Sequence, residues 1–319
     1  MELLAAGPAA LSGELRAAAA RAAAFAQRAR AANTVRAYRA DWDDFEGWCV
    51  ARGLLALPAA EATLALYLTE RAASRRVSTL QRRISAIAQA HRMAGHDSPL
   101  KGSAAVVWRG IRRTMGTAQR GKAPARTAEV RRMVATCGDS LLDTRDRALV
   151  LLGFAGALRR SELVGLDVAD LAFTAEGLVL TLRRSKMDQE GAGEQLGIPY
   201  GSTPATCPVR ALQAWLQAAG ITEGAVFRSV NRWGRVQGQR LSAQTVARVV
   251  KRRAAAAGLP ADRYAGHSLR AGLATAAAEA GVSERVIMAQ TRHRSLPMVR
   301  RYIREGSLFL ENAAARVGL

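Results

Sequence analysis

The spacing of large apolar residues separates the chain into an all-helical first part and a mixed second part. In the first part these residues recur every three or four positions, the period of an amphipathic helix. The clearest run begins after a cap at Asn33 or Thr34, and its apolar positions are Val35, Tyr38, Trp42, Phe45 and Trp48. Similar patterns predict further helices near residues 61–73, 78–93 and 104–115.

The second part begins with predicted helices at residues 127–137 and 144–154, and then the apolar period changes to two. Leu178, Leu180 and Leu182 alternate with other residues, which predicts a strand, and residues 195–200 predict its antiparallel partner. The later apolar runs predict helices at 208–219, 242–257, 267–280, 283–290, 295–304 and 308–317. We therefore expect a mainly α fold with a small antiparallel β-sheet.

Breaks in this periodicity predict the domain boundaries. Residues 1–31 are rich in Ala and Arg and read as a flexible or helical arm, followed by a helical domain over residues 32–116. Residues 117–126 include Gly121, Lys122 and Pro124 and predict a basic linker. The remaining residues, 127–319, form the second domain.

The net positive charge of the chain indicates which kind of partner it binds. The 319 residues include 47 Lys and Arg against 26 Asp and Glu, for a formal charge of +21, and only four of the cations are lysines. Such an excess favours a nucleic acid partner, although each basic half could also be a solvated surface. The candidate DNA contacts are Lys122 in the linker and Arg248, Lys251, Arg252 and Arg253 in the helix at 242–257. That helix is either a major-groove helix or simply a charged face.

Several classes of protein are disfavoured. No apolar run is long enough for a membrane span, and the first residues have no basic segment typical of a secretory signal. The cysteines Cys49, Cys137 and Cys207 are far apart, and neither they nor the four histidines have the spacing of a metal site. No phosphate-binding GxxxxGK[ST] loop is present. We expect a cytoplasmic protein that acts on DNA, without a membrane, a metal or another cofactor.

Candidate chemistry lies in the second part of the chain. Cleaving a phosphodiester without a metal needs a nucleophile, cations on the non-bridging oxygens and an acid for the leaving oxygen. Three segments carry suitable residues: LRRSEL at 158–163, HSLR at 267–270, and RHRSLPMVRRYIRE at 292–305. Residues three apart share a helical face, so His267 lies beside Arg270, and Glu162 can orient Arg159.

In this order, the three segments resemble the tyrosine recombinase, or phage integrase, family, and especially its Cre-like members. The opening NTVRAYRADWDDFEGWC resembles the family's helical, SAM-like core-binding domain. The resemblance implies a C-shaped, two-domain clamp around double-stranded DNA. It also implies site-specific recombination, in which strands are cleaved and rejoined through a 3′-phosphotyrosine without metal or ATP. The biological event would be integration, excision or resolution of DNA elements.

The resemblance also assigns roles to the residues that contact the phosphate. Arg159 and Arg270 would hold the scissile phosphate and stabilise its transition state. His267 would hydrogen-bond the phosphate and assist proton transfer, and His293 would hydrogen-bond another phosphate oxygen.

The reacting groups follow from the same resemblance. Tyr302, nine residues after His293, would attack the phosphorus. Lys186, at the tip of the predicted hairpin, would be the acid for the 5′-oxygen, and Glu162 would support the site from behind. The alternatives are a type IB topoisomerase, which uses related chemistry, and a catalytically silent DNA-binding regulator.

Two residues depart from the family pattern, and one segment suggests assembly. Arg292 replaces a glycine before the second histidine, and Arg160 replaces an apolar residue after Arg159. Both leave the geometry of the neighbouring loop open, and Arg292 either alters that geometry or adds a phosphate contact. Family members assemble as tetramers on DNA and exchange a C-terminal helix, so we expect the apolar face of residues 308–317 to dock on a neighbouring subunit.

Overall fold

A computed structural model describes residues 32–117, 121–183 and 193–293, together with residues 15, 17, 18, 21, 295, 296, 299, 300 and 302. The chain divides into two compact units, residues 1–120 and 121–319. The described residues are mainly helical with small antiparallel sheets, which confirms the predicted fold class. The predicted helix at 308–317, and with it the expected docking face, lies outside the described residues. None of the helices among the described residues has the length and apolarity that a membrane-spanning segment needs.

The first unit is a bundle of helices around an aromatic core. Its described helices longer than one turn are α1 (Ala32–Val50), α2 (Glu61–Ala72), α3 (Val77–Met93) and α4 (Gly102–Met115). Helix α1 packs on α3, and α2 packs on α4. Phe45 and Tyr67 are fully buried, and their rings meet edge to face at 5.0 Å. Val35 departs from the predicted apolar face and is 47% exposed, because the buried positions of α1 begin only at Asp41.

A buried helix lies at the centre of the second unit. The described helices of this unit are α5 (Thr127–Ala135), α6 (Leu141–Ala155), α7 (Arg160–Gly165), α8 (Pro208–Ala218), α9 (Ala243–Ala256), α10 (His267–Glu279) and α11 (Glu284–Thr291). Helix α6 starts at the cap residue Ser140, whose hydroxyl accepts a hydrogen bond from the Asp143 amide at 3.2 Å. It packs against α5, α8 and α10. Its apolar residues therefore form the core that supports the functional loops.

Two small antiparallel sheets complete the second unit. One has the order β1 (Leu171–Phe173), β2 (Gly177–Leu182) and β3 (Glu194–Pro199), and the other pairs β4 (Arg228–Val230) with β5 (Val236–Arg240). Leu178 pairs with Ile198, and Leu180 with Leu196, all on the buried face. This pairing confirms the predicted hairpin. The other three strands were not predicted; four of the five residues of β5 are exposed, so it carries no apolar alternation.

The predicted linker ends earlier than expected. The amides of Ala123 and Ala125 donate to the carbonyls of Arg263 and Ser268 at 2.8 and 2.9 Å. Ala125 is fully buried, and its carbonyl passes so close to Gly272 that a β-carbon there would lie 1.8 Å from the oxygen. Residues 121–126 are therefore part of the second unit rather than a linker.

Candidate active site

Arg159 stands at the start of α7, directly after the turn that ends α6. The turn includes Ala157 in the left-handed region, at φ 45°. The Arg159 amide donates to Glu162 Oε2 at 2.9 Å, and its Nη1 donates to Glu162 Oε1 at 2.5 Å. Burial alone would raise the pKa of Glu162, but the bonds from Arg159 and the charge of Arg292 outweigh it and lower that pKa. The ionised carboxylate thus fixes Arg159, whereas Arg160 is exposed.

Arg270 lies under the same turn, one helical turn after His267 on α10. Its side chain is 1% exposed, and its Nη1 donates to the Ala157 carbonyl at 2.7 Å. Among the described residues, Arg270 Nη2 is buried without a hydrogen-bond partner. Burial and the neighbouring charges of Arg159 and Arg292 lower the pKa of Arg270 to about 9. The guanidinium is still protonated near neutral pH, and it offers an unused buried donor to an anion.

Arg292 enters the site from the loop that follows α11. Its backbone is left-handed, at φ 53° and ψ 46°, the conformation for which glycine is favoured. The buried guanidinium donates from Nη2 to Glu162 Oε2 at 2.8 Å and from Nη1 to the Gly156 carbonyl at 3.0 Å. Arg292 therefore keeps a backbone conformation that suits glycine, and its guanidinium lies behind Arg159 and Glu162.

His293 has a defined proton position. Thr291 Oγ1 donates its one hydrogen to the Ile287 carbonyl at 2.6 Å, so it must accept from His293 Nδ1, which lies 2.7 Å away. The neutral His293 ring then carries a lone pair on Nε2. Burial, followed by the charges of Arg270 and Arg159, lowers the pKa of His293 to about 4. The ring is therefore neutral near neutral pH.

Tyr302 reaches the site from the helical residues that follow this loop. Its half-buried ring packs on a small apolar cluster that includes Ala274, Ile287 and Val299. The Tyr302 Oη lies 2.8 Å from His267 Nε2, and its ring centroid lies 5.9 Å from that of His293. The phenol is thus held between the two histidines.

The predicted site residues are brought together from four separate parts of the second unit. Lys186 lies outside the described residues. The residues that converge are Arg159, Glu162, His267, Arg270, His293 and Tyr302. With Arg292, the site holds three arginines. Glu162 pairs with Arg159 and Arg292, and Glu194 Oε2 lies 3.9 Å from Arg292 Nε, so the site keeps an excess of positive charge. Such a pocket suits a phosphate group.

Four of the five predicted DNA contacts are at the surface. Arg248, Lys251 and Arg252 are exposed on α9, and Arg252 also pairs with Asp146. Lys122 is exposed, and its Nζ donates to the Asp262 carbonyl at 2.5 Å.

Arg253 is a correction to the predicted contacts. Its side chain is 6% exposed, and its Nε donates to Asp146 Oδ2 at 3.0 Å. It also pairs with Asp143 and donates to the Thr136 carbonyl at 3.2 Å. Because the two carboxylates hold this guanidinium inside the unit, Arg253 stabilises the packing of α9 on α6 rather than reaching DNA.

Two residues of the site were not among the predicted site residues: Arg292 and Thr291. The only sequence signal for Arg292 was an arginine at a position where the family pattern has a glycine. Nothing in the sequence indicated that its guanidinium reaches Glu162, because the two residues are 130 positions apart.

Two protein-family models match this chain. The model of the phage integrase family matches residues 125–307, and the model of the phage integrase N-terminal SAM-like domain matches residues 23–96. The chain belongs to the phage integrase family. This membership confirms the predicted class, a tyrosine-type site-specific DNA recombinase.

Curated relatives agree with this assignment. An integrase/recombinase described as a XerD homolog, from Selenomonas ruminantium, is 42% identical over 297 residues, which cover 91% of this chain and 87% of the relative. The tyrosine recombinase XerC of Bifidobacterium longum subsp. infantis is 27% identical over 279 residues, which cover 81% of this chain and 71% of the XerC chain.

Solved structures agree in fold. The XerH site-specific recombinase bound to palindromic difH substrate, in a post-cleavage complex, has a TM-score of 0.61 at 16% identity and covers 80% of this chain and 72% of its own. A lambda integrase (75–356) dimer bound to a COC′ core site has a TM-score of 0.60 at 19% identity, and the match covers 88% of this chain and 91% of the lambda integrase chain.

Proposed function

We propose that this recombinase cleaves DNA with Tyr302 as the nucleophile. The observation that carries the proposal is the placement of Tyr302 Oη 2.8 Å from His267 Nε2, in a site that also holds Arg159, Arg270 and Arg292. Tyr302 Oη forms a bond to the scissile phosphorus, and the bond from phosphorus to the 5′-oxygen breaks. The products are a 3′-phosphotyrosine and a 5′-hydroxyl, and attack by the 5′-hydroxyl of another strand reverses the step.

The phosphate is held by Arg159 and Arg270. Nη1 of each guanidinium bonds to the protein, so the donors that remain, including Arg270 Nη2, which has no partner among the described residues, face the non-bridging oxygens. Burial and then repulsion from Arg159 and Arg292 lower the pKa of Arg270, and the repulsion is relieved when an anion enters. Negative charge also increases as the pentacoordinate transition state forms, so the cations stabilise that state more than the ground state.

Proton transfer begins at the contact between Tyr302 and His267. A phenol has an ordinary pKa of about 10, so attack at neutral pH needs a base or strong positive charge nearby. With Nε2 unprotonated, His267 accepts the Tyr302 proton through the 2.8 Å hydrogen bond. On the leaving side, Lys186 gives its proton to the 5′-oxygen, a role that rests on the family resemblance.

His293 contacts a phosphate oxygen in its protonated form. Because Thr291 occupies Nδ1–H, the neutral ring has only a lone pair at Nε2, which repels a phosphate oxygen. Entry of the phosphate raises the proton affinity of the ring. The imidazolium then donates from Nε2.

Backbone contacts and assembly complete the proposal. Lys122, Arg248, Lys251 and Arg252 bind DNA phosphates. Protomers assemble as tetramers on paired sites and exchange the segment 308–317, which the sequence predicts to be helical. The relatives named above are bacterial, and we place the activity in the cytoplasm.

Trapping the covalent complex tests the proposal. Wild type, Tyr302→Phe and the control Tyr200→Phe are incubated with fragmented DNA of the source organism, quenched with detergent, and the protein-linked DNA is sequenced. We expect adducts at one sequence with wild type and the control, and none with Tyr302→Phe. DNA that is bound without any adduct would support the silent regulator. Relaxation of supercoils without exchange between two sites would support the topoisomerase.

A further inference from the structure

Arg292 occupies a backbone conformation that ordinary side chains rarely adopt. Its φ of 53° is in the left-handed region, which is uncommon for residues other than glycine, asparagine and aspartate. Such a backbone persists where its surroundings hold it. Here the surroundings are the contacts of the guanidinium, which is almost entirely buried.

The terminal donors of Arg292 are committed to the protein. Nη1 donates to the carbonyls of Gly156 and Gln290 at 3.0 and 3.1 Å, and Nη2 donates to Glu162 Oε2 at 2.8 Å and to the Ala157 carbonyl at 3.4 Å. These contacts use the four N–H groups of the two terminal nitrogens. No terminal donor is left for a phosphate. The remaining donor, Nε, has no hydrogen-bond partner among the described residues and lies 3.9 Å from Glu194 Oε2.

The partners of Arg292 are the groups that position the two phosphate-binding arginines. Glu162 binds Arg159 through Oε1 at 2.5 Å while its Oε2 receives Arg292. The Ala157 carbonyl receives Arg270 Nη1 at 2.7 Å and Arg292 from the other side. One buried cation therefore bridges the supports of both arginines.

We propose that Arg292 is a positioning residue of the cleavage site, which acts through Glu162 and the Gly156–Ala157 turn to align Arg159 and Arg270 with the scissile phosphate. This inference rests on the proposed function. It predicts that loss of Arg292 impairs the neutralisation of phosphate charge more than it impairs DNA binding or the reactivity of Tyr302.

The test compares two DNA substrates that carry the site recovered by trapping, one with a normal scissile phosphate and one with a methylphosphonate there. The methylphosphonate lacks the negative charge that Arg159 and Arg270 balance. With Arg292→Gly we expect adduct formation about a hundredfold slower on the phosphate, but close to the wild-type rate on the methylphosphonate. Arg285→Ala, which removes an exposed cation from α11, the helix just before Arg292, is the matched control and should match wild type on both DNAs.

Further variants separate positioning from folding. Arg292→Lys keeps the charge but cannot reach Glu162 and the turn together. It should therefore show a weaker loss of rate on the phosphate DNA and none on the methylphosphonate DNA. This variant is the test if Arg292→Gly does not fold. The double variant Arg292→Gly with Glu162→Gln should be no slower than Glu162→Gln alone, because both act through one carboxylate.

Two results would overturn the inference. One is a wild-type rate for Arg292→Gly on the phosphate, and the other is an equal loss on both DNAs, which indicates general damage to the fold. Adducts that form with Tyr302→Phe, or none with wild type, would instead overturn the proposed function on which the inference rests.

Discussion

The neutral state of His293 gives a pH dependence that can be worked out from the structure. Burial and the charges of Arg270 and Arg159 lower its pKa from 6.5 to about 4. One pKa unit corresponds to about 1.4 kcal/mol, so the folded state disfavours the protonated ring by about 3 kcal/mol. His293→Asn is the perturbation, because its side-chain amide can still donate to Thr291.

The sign follows from proton linkage. Between about pH 6.5 and pH 4 the unfolded chain binds a proton at His293 and the folded chain does not, so the free energy of unfolding falls as pH falls. The loss is absent above about pH 7, about 2 kcal/mol at pH 5, and about 3 kcal/mol below pH 4. His293→Asn removes this dependence of the unfolding free energy on pH. Urea unfolding of wild type and variant at pH 8 and at pH 5 measures it, because only wild type should lose the additional stability of about 2 kcal/mol at pH 5.

Nuclear magnetic resonance measures the same quantity directly. The chain has four histidines, and the resonance that disappears in His293→Asn identifies the ring. The control His96→Asn removes an exposed histidine of the first unit and leaves that resonance in place. An apparent pKa for His293 above about 6 would show that the described burial and charges do not act on it as reasoned.

Further predictions separate surface cations from buried ones and test a close backbone contact. Lys251→Ala should weaken DNA binding and reduce the slope of log affinity against log salt by about one, whereas a gel-shift titration with no change in slope would exclude a phosphate contact there. Arg253→Ala should instead lower the free energy of unfolding by about 3 kcal/mol, measured with urea, because it leaves the fully buried Asp146 with fewer cations; a neutral effect would contradict its interior role. Gly272→Ala should destabilise the second unit by about 2 kcal/mol or more, because its β-carbon meets the Ala125 carbonyl, and an unchanged Tm would refute that contact.

Much of the fold could be predicted from the sequence because its elements are strongly periodic. The alternation of Leu178, Leu180 and Leu182 matches the buried face of β2. Strand β5 could not be predicted in this way. It is held by pairing with β4, and four of its five residues are exposed, so its sequence shows no alternation of apolar and polar residues.

The position of Arg253 in its helix already indicated that this arginine is buried. It lies three and four residues after Val250 and Val249, on the buried face of α9, so the helical period already separated it from the exposed Lys251. Charge alone suggested DNA, but the acids that hold it come from α6 and are distant in sequence. Composition cannot reveal such partners.

The site was predictable in its residue types but not in its arrangement. Motif order identified Arg159, His267, Arg270 and Tyr302. The bridge from Arg292 to Glu162 depends on the packing of the loop after α11 against the end of α6. No local pattern encodes that contact.

The central claim is that Tyr302 becomes covalently linked to DNA, and peptide mapping of the trapped complex tests it most directly. After nuclease digestion of the adduct, mass spectrometry should find a nucleotide on Tyr302 and on none of the other four tyrosines. A nucleotide on another residue, or a DNA-bound complex with unmodified Tyr302 under conditions that support strand exchange, would contradict the account.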